Sequence, residues 1–459
     1  MVEATKLQTD TERDWLAPTV QVPAGAGARV EIPGSKSLTN RYLLLAALAD
    51  SPSVIHAPLH SRDSALMIEA LTALGARFEP IETGKAFGPD LRVIPLDLSA
   101  RARREASIDV GLAGTVMRFV PPVATLLPGT FHFDGDEHAR VRPMGPTIEA
   151  LRGLGVQVED AGTGALPFTL VSEGAVTVRA LTLDASGSSQ FVSALLLAAC
   201  RFENGLTLHH QGGPIPSMPH IEMTCQTMSE LGIDVSFDGH ATWQVAPGSF
   251  SGFEVTVEPD LSNAGPFLAA AVVTGSTVTV PNWPATTTQG GDYWRQILPL
   301  FGATVELSDG ELTVTGPHGG AASGLPGIDL DLAEAGELAP TVAALMALSP
   351  NTSVLRGIAH LRGHETDRLA ALTAEINRLG GAAEETEDGL RVTSPVHRGG
   401  RFRTYADHRM ATAAAIIGLL IPGLMVENVE TTSKTLPGFT GLWQDMLTAW
   451  GASGTGGER

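Results

Sequence analysis

Six times along the 459-residue chain, a long apolar run opens with a short knot of polar or charged residues. The knots are SLTNR before YLLLAALA, GTVMR before FVPPVATLL, SSQ before FVSALLLAAC, LSNAG before PFLAAAVV, GELA before PTVAALMAL and ADHR before MATAAAIIGLL. With Asn40, Gly114, Ser188, Ser262, Glu337 and His408 as landmarks, the intervals are 74, 74, 74, 75 and 71 residues. A helix that is apolar all round must be buried. Its N-terminus, by contrast, presents unpaired backbone N–H groups and the positive end of the helix dipole. Six buried helices whose starts carry Lys, Arg, Ser, Gln and acidic side chains predict an anion-binding site.

A second landmark runs in phase with the first. After each knot an amphipathic segment ends at a glycine, as with Ile68, Leu71 and Leu74 before Gly75, and Ile148, Leu151 and Leu154 before Gly155. The later copies end at Gly232, Gly302, Gly380 and Gly451. Apolar residues three to four apart predict a helix with one buried face, and the glycine its left-handed cap. Short strands such as ATVEL and LTVTG complete each unit. The period fits none of the common short solenoids, which leaves six α+β units. Ile32-Pro33-Gly34 and Glu258-Pro259-Asp260 bracket three of them, so one three-repeat domain is expected to be inserted into another. The predicted class is α/β in α+β repeats: two similar domains of three βαββαβ-type repeats with buried helices. Residues 1–34 plus 260–459 form the discontinuous domain and 35–259 the inserted one, with the active site expected in the cleft between them.

The balance of 30 basic against 50 acidic residues, a net charge of −20, argues against nucleic-acid and anionic-membrane surfaces. Basic residues gathered at helix starts in so acidic a chain favour a small anionic ligand. The two cysteines, Cys200 and Cys225, lie in apolar helical segments, and two buried thiols suit a reducing cytoplasm. The N-terminus is polar and lacks the apolar core of a signal peptide. Met410 to Val426 is apolar but broken by Gly418 and Pro422-Gly423, which predicts a core helix and not a membrane span. About the first 15 residues and the tail GASGTGGER are expected to be disordered.

The first knot, PGSKSLTNR, puts Lys36, Ser37 and Arg41 at a helix start, where two cations and a hydroxyl fit phosphate or carboxylate capture. It is not a Walker loop: Arg29 stands where that motif's first glycine belongs, and Ser35 separates glycine from lysine.

The motifs PGSKSLTNRYLLLAAL, AGTVMR, RVRPMGP, SSQF, ETDR, DHRMA and SKTLPGF, in this order from about Pro33 to Trp443, closely resemble the 5-enolpyruvylshikimate-3-phosphate synthase family of enolpyruvyl transferases. The resemblance implies two domains of three repeats each, one inserted in the other. It also implies that the 5-hydroxyl of shikimate 3-phosphate attacks C2 of phosphoenolpyruvate while C3 is protonated, and that the tetrahedral intermediate then loses phosphate. Holding two phosphates and two carboxylates together requires several cations. No cofactor and no metal is implied, and the family suggests a monomer.

Residue by residue, the resemblance places Lys36 between the two substrates as charge clamp and candidate acid. Ser37, Arg41, Ser188, Ser189, Gln190, Ser217, Glu337 and His364 would join Lys36 in holding shikimate 3-phosphate. Gly114, Arg142, Gln190, Arg368, Arg409 and Lys434 would join it in holding phosphoenolpyruvate, with Arg140 nearby. Lys36, Glu337 and Glu365 form the proton-handling set: Glu337 as base for the 5-hydroxyl, and Lys36 or a carboxylate supplying the C3 proton. Asp407 and His408 would orient Arg409. Several positions depart from common family residues: Glu337 for aspartate, His220 for tyrosine, His364 for lysine, His360 for asparagine, and Leu112 and Phe119 for asparagine and proline.

Two rivals are weaker. The sister enzymes acting on UDP-N-acetylglucosamine typically carry asparagine after the lysine, where this chain has Ser37, and often a loop cysteine that neither Cys200 nor Cys225 provides. An inactive anion-binding relative would have lost the proton-handling set, yet Lys36, Glu337 and Glu365 are all present.

Overall fold

A computed structural model describes residues 13–454. The six apolar runs form helices Lys36–Leu48, Gly114–Ala124, Gln190–Ala199, Leu261–Thr274, Ala339–Met346 and His408–Gly418, buried on nearly every side. The amphipathic segments form a second set, Arg62–Leu74, Gly145–Gly153, Pro219–Glu230, Trp294–Leu300, Arg368–Arg378 and Phe439–Ala449. Past their ends Gly75, Gly155, Gly232, Gly302, Gly380 and Gly451 all have φ between 63° and 113°, the left-handed conformation that glycine adopts without a Cβ penalty.

Each repeat folds the same way. In the second, strand Arg104–Asp109 leads through helix Gly114–Ala124 to strand Pro128–Asp134, and the two strands pair in parallel. Helix Gly145–Gly153 and the antiparallel pair Gln157–Glu159 and Phe168–Glu173 follow. The order is thus βαβαββ and not the expected βαββαβ. Parallel neighbours need a crossover, and helices supply it. Within a sheet, only the final antiparallel pair can be joined directly. In the fourth repeat that turn is Asp309-Gly310, with φ of 52° and 75°, the left-handed pair of a type I′ hairpin.

Three sheets are completed by strands distant in sequence. Glu254–Thr256 pairs with Ser53–His56, and Gly27–Arg29 with Thr277–Pro281, both in parallel. In the sixth repeat Trp15–Leu16 pairs with Leu424–Val426, and Val20–Gln21 with Ser453–Gly454. Part of each terminal stretch expected to be disordered is therefore in strands: Trp15–Leu16 joins the sheet of Leu424–Val426, and Ser453–Gly454 forms a separate two-stranded sheet with Val20–Gln21. The remainder of those stretches lies outside the described residues.

By internal contacts the chain divides into two units, one running up to Ile32 and again from Pro259, the other Pro33–Glu258. Each has its own apolar core enclosing three of the buried helices. Among the described residues no helix is long and apolar enough to cross a membrane. Cys200 is buried and Cys225 only half-buried, since its helix carries one exposed face; both are free thiols that burial pushes up to about 11.

The strand Glu254–Thr256 is tied down by charge as well as by backbone. His56 Nδ1 lies 2.6 Å from Asp90 Oδ2 and its Nε2 lies 2.7 Å from Glu254 Oε1. Hydrogen bonds to Asp90 and Glu254 raise the His56 pKa against a smaller burial penalty. A raised histidine pKa contributes stability that is fully present below the unfolded value of about 6.5 and is lost as pH rises through the folded value. Replacing His56 with glutamine is therefore expected to lower the melting temperature more at pH 6 than at pH 9. Partial exposure keeps the effect to about 1 kcal/mol or less. Equal losses at both pH values would show that His56 is not charged in this bridge.

Candidate functional site

Two groups of polar side chains are built on the helix starts, one in each unit. In the unit Pro33–Glu258, Ser35 caps the first buried helix, so Lys36, Ser37 and Arg41 occupy its first two turns. Lys36 Nζ lies 3.6 Å from Asp63 Oδ2. Arg41 is 2% exposed and held by neutral oxygens: Nε donates to Thr224 Oγ1 at 2.8 Å, Nη1 to the Ser37 carbonyl at 2.9 Å and Nη2 to the His220 carbonyl at 2.7 Å. Burial pushes its pKa down to about 9, with Cys225 and Tyr42 opposing. The Phe119 ring lies beneath its guanidinium, 5.4 Å from Cζ.

The next two buried helices start without a side-chain cap, at Ala113-Gly114 and Ser189-Gln190. Arg142 and Gln190 meet over Gly114. A Cβ built there would lie 3.0 Å and 3.2 Å from the two terminal nitrogens of Arg142, and 3.2 Å from Gln190 Oε1. Arg142 donates from Nη1 to the Leu112 carbonyl at 3.2 Å, while its buried Nε has no hydrogen-bond partner among the described residues. A buried guanidinium held by one neutral carbonyl favours an anion beside it. Arg118, one turn beyond Gly114, donates to Gln190 Oε1 at 2.7 Å and orients that amide. Ser188 Oγ accepts from the Gln190 N–H at 3.3 Å, and Ser189 is buried beside it. Ser217 takes a left-handed φ of 53°, and its carbonyl accepts from the His220 N–H at 3.1 Å.

In the other unit Glu337 sits in a 3₁₀ turn, Gly336–Leu338, that runs into helix Ala339–Met346. The Ser262 hydroxyl lies 3.5 Å from Glu337 Oε1. His360 covers Gly336, where a Cβ would meet its Nε2 at 2.6 Å. Arg368, 1% exposed, donates from Nε to Asp407 Oδ2 at 2.8 Å, and from Nη2 to Asp407 Oδ1 at 3.2 Å and Glu365 Oε2 at 3.0 Å. Burial opposes its charge, yet Asp407 and Glu365 outweigh that and hold its pKa above the ordinary value. Lys434 Nζ donates to Glu365 Oε1 at 2.6 Å. His364 Nδ1 lies 3.3 Å from Arg368 Nη1. Burial and the neighbouring Arg368 push the Arg409 pKa down, against the pull of Glu337, Asp260 and Asp407.

Lys36, Ser37, Arg41, Gly114, Arg142, Ser188, Ser189, Gln190 and Ser217 thus fall in one unit, and Glu337, His364, Glu365, Arg368, Arg409 and Lys434 in the other. Their electrostatics differ. Lys36, Arg41, Arg118 and Arg142 make the first group cationic, whereas ion pairs to Glu365 and Asp407 neutralise much of the second. Asp407 does not orient the Arg409 side chain as expected. It accepts that residue's backbone N–H at 2.9 Å as helix cap and turns its carboxylate onto Arg368. Arg140 pairs with Asp134 at 2.7 Å on an exposed surface.

The sequence reading missed Arg118, Ser262 and Asp63. Arg118 was detectable, since one helical turn puts it on the same face as Gly114. Ser262 opens the fourth buried helix, where the cap is Asp260, whose carboxylate accepts from the Asn263 N–H at 3.0 Å. Asp63 carries no local signal.

Comparison with known proteins gives the family. The family model for EPSP synthase (3-phosphoshikimate 1-carboxyvinyltransferase) matches residues 20–443. This chain belongs to the EPSP synthase family. A curated relative from Kocuria rhizophila, named 3-phosphoshikimate 1-carboxyvinyltransferase, is 58% identical over 434 residues, covering 94% of this chain and 96% of its own. Among solved structures, the EPSP synthase of Acinetobacter baumannii superposes with a TM-score of 0.72 at 23% identity, over 93% of this chain and 97% of its own. The enolpyruvyl transferase NikO of Streptomyces tendae superposes with a TM-score of 0.69 at 17% identity, over 95% and 97%. At those identities the likeness establishes the fold. Within this family member, Phe119 has a local explanation: it packs beneath Arg41.

Proposed function

We propose that this chain transfers the enolpyruvyl group of phosphoenolpyruvate to the 5-hydroxyl of shikimate 3-phosphate, releasing phosphate. The observation that carries the residue assignment is the convergence of Arg142 and Gln190 over the bare Cα of Gly114, with Arg142 Nε left for an anion. Identity of 58% to a curated 3-phosphoshikimate 1-carboxyvinyltransferase supports the reaction itself.

In this reading Ser188 and Ser189, with Arg41, Ser37, Ser217 and Lys36, take the shikimate phosphate and ring hydroxyls. Gln190, aimed by Arg118, touches both substrates. Arg142, Arg368, Arg409 and Lys434 take the carboxylate and phosphate of phosphoenolpyruvate, and His364 stands beside Arg368. Glu337 removes the proton from the 5-hydroxyl as its oxygen bonds to C2. The C2–C3 π pair meanwhile takes a proton at C3 from Lys36 or Glu365. Expulsion of phosphate breaks the bond between C2 and the phosphate oxygen as the deprotonated Lys36 or Glu365 takes a proton back from C3, regenerating the double bond, and the proton held by Glu337 leaves with the phosphate. Cations fixed before substrate arrives stabilise the charge that develops, at no cost in reorganisation. The chain acts as a monomer in the cytoplasm, a compartment consistent with its two free thiols.

The test is phosphate release from the purified protein with shikimate 3-phosphate and phosphoenolpyruvate. Release only when UDP-N-acetylglucosamine replaces shikimate 3-phosphate would overturn the proposal. For the site, Arg142→Ala is expected to raise the phosphoenolpyruvate KM by about a hundredfold, a lost charge-assisted contact of about 3 kcal/mol. An unchanged KM would remove Arg142 from the clamp.

A further inference from the structure

Just before the sixth buried helix, the chain makes a turn that its residues should resist. Tyr405 and Ala406 both have left-handed φ, 54° and 56°, and the Asp407 N–H donates to the Thr404 carbonyl at 2.9 Å across them. Two successive left-handed residues inside such a bond are the mark of a type I′ turn, which glycine, asparagine and aspartate favour and which tyrosine and alanine do not. The next residue is Asp407, fully buried, whose carboxylate holds Arg368.

A buried carboxylate holds the turn. Glu375 is 0% exposed and accepts from the Tyr405 hydroxyl at 2.8 Å, from the Arg403 N–H at 3.1 Å and from Arg378 Nε at 3.0 Å. Burial and the hydrogen bond to Glu375 raise the Tyr405 pKa, so the phenol stays a donor. Glu375 stands seven residues, two turns, after Arg368 on helix Arg368–Arg378, so both face the same way. That face therefore grips the 403–407 segment twice, Arg368 on Asp407 and Glu375 on Tyr405 and Arg403.

We propose that Tyr405 and Glu375 are positioning residues, holding an intrinsically unfavourable turn so that Asp407 stays locked on Arg368 and the guanidinium is set for phosphoenolpyruvate. The inference rests on Arg368 being a phosphoenolpyruvate clamp. Backbone strain of this kind persists only where surrounding structure over-determines it. The tyrosine–glutamate bond supplies that restraint from outside the binding group.

The experiment compares steady-state kinetics of Tyr405→Phe, Tyr405→Phe/Ala406→Gly and Arg368→Ala, varying each substrate in turn. Tyr405→Phe is expected to raise the phosphoenolpyruvate KM about tenfold, the loss of one hydrogen bond to a charged group, while kcat and the shikimate 3-phosphate KM stay within about twofold. Glycine at 406 relieves the strain at one of the two left-handed positions, so the double variant is expected to recover at least half of the lost affinity on a logarithmic scale, to within about threefold of the parent. An unchanged KM in Tyr405→Phe, equal rises in both KM values, or no rescue by Ala406→Gly would each overturn the proposal. Arg368→Ala separates the two levels. If it raises the phosphoenolpyruvate KM and Tyr405→Phe does not, the positioning inference alone fails; if Arg368→Ala has no effect, the clamp reading falls with it.

Discussion

Replacing Glu337 with glutamine is expected to lower kcat by about a hundred- to ten-thousand-fold, the usual contribution of a positioned general base. Binding of shikimate 3-phosphate should persist. Glutamine keeps the length and planar shape of glutamate, and it retains an oxygen for the Ser262 hydroxyl now 3.5 Å away. The 3₁₀ turn Gly336–Leu338 also remains packed beneath His360. A fluorescence titration with shikimate 3-phosphate beside a phosphate-release assay separates the two effects. Near-normal turnover would take the base role away from Glu337 and leave Glu365, already paired with Lys434 and Arg368, as the remaining carboxylate of the set. Glutamate is also one methylene longer than the aspartate common at this position. Glu337→Asp is thus the natural companion variant for asking whether reach, as well as basicity, matters.

The largest stability effect is expected from Asp407→Ala. Asp407 is 0% exposed and binds Arg368, itself 1% exposed, through two hydrogen bonds; it also caps helix His408–Gly418. Removing it leaves a buried guanidinium with Glu365 as its remaining carboxylate partner at hydrogen-bond distance. Breaking one side of a buried ion pair costs about 3–5 kcal/mol, and loss of an N-cap about 1 kcal/mol more. Urea denaturation should show a drop of about that size. The double variant Asp407→Ala/Arg368→Met should be more stable than Asp407→Ala alone, because no uncompensated charge is left behind. An Asp407→Ala protein as stable as the parent would mean that the arginine finds another anion or reaches water.

These two residues show what was legible beforehand. Glu337 was visible because it opens an apolar run in phase with five others, and a buried helix start is a local pattern. Asp407 was visible as a helix-start acid, but its partner was misread: Arg409 is near in sequence, whereas Arg368 reaches it only through the packing of two helices. The turn at Tyr405 and Ala406 was illegible for a stronger reason. Their intrinsic preferences argue against the conformation they adopt, so local reasoning points away from it. The sheet edges were hidden similarly, with Glu254–Thr256 beside Ser53–His56 and Trp15–Leu16 beside Leu424–Val426.

The unaided sequence established the six buried helices, the glycines that end their amphipathic partners, and the side chains standing at each polar start. Those features follow from periodicity, capping and the helix dipole, which act over a turn or two of chain. Strand order within each repeat came from three-dimensional packing, as did the choice of which buried charge faces which. A carboxylate buried among several arginines pairs with the one that packing brings within hydrogen-bond reach, and chain distance carries no information about that. The cations and hydroxyls at the helix starts could be read locally; the ion pairs that orient the arginines could not.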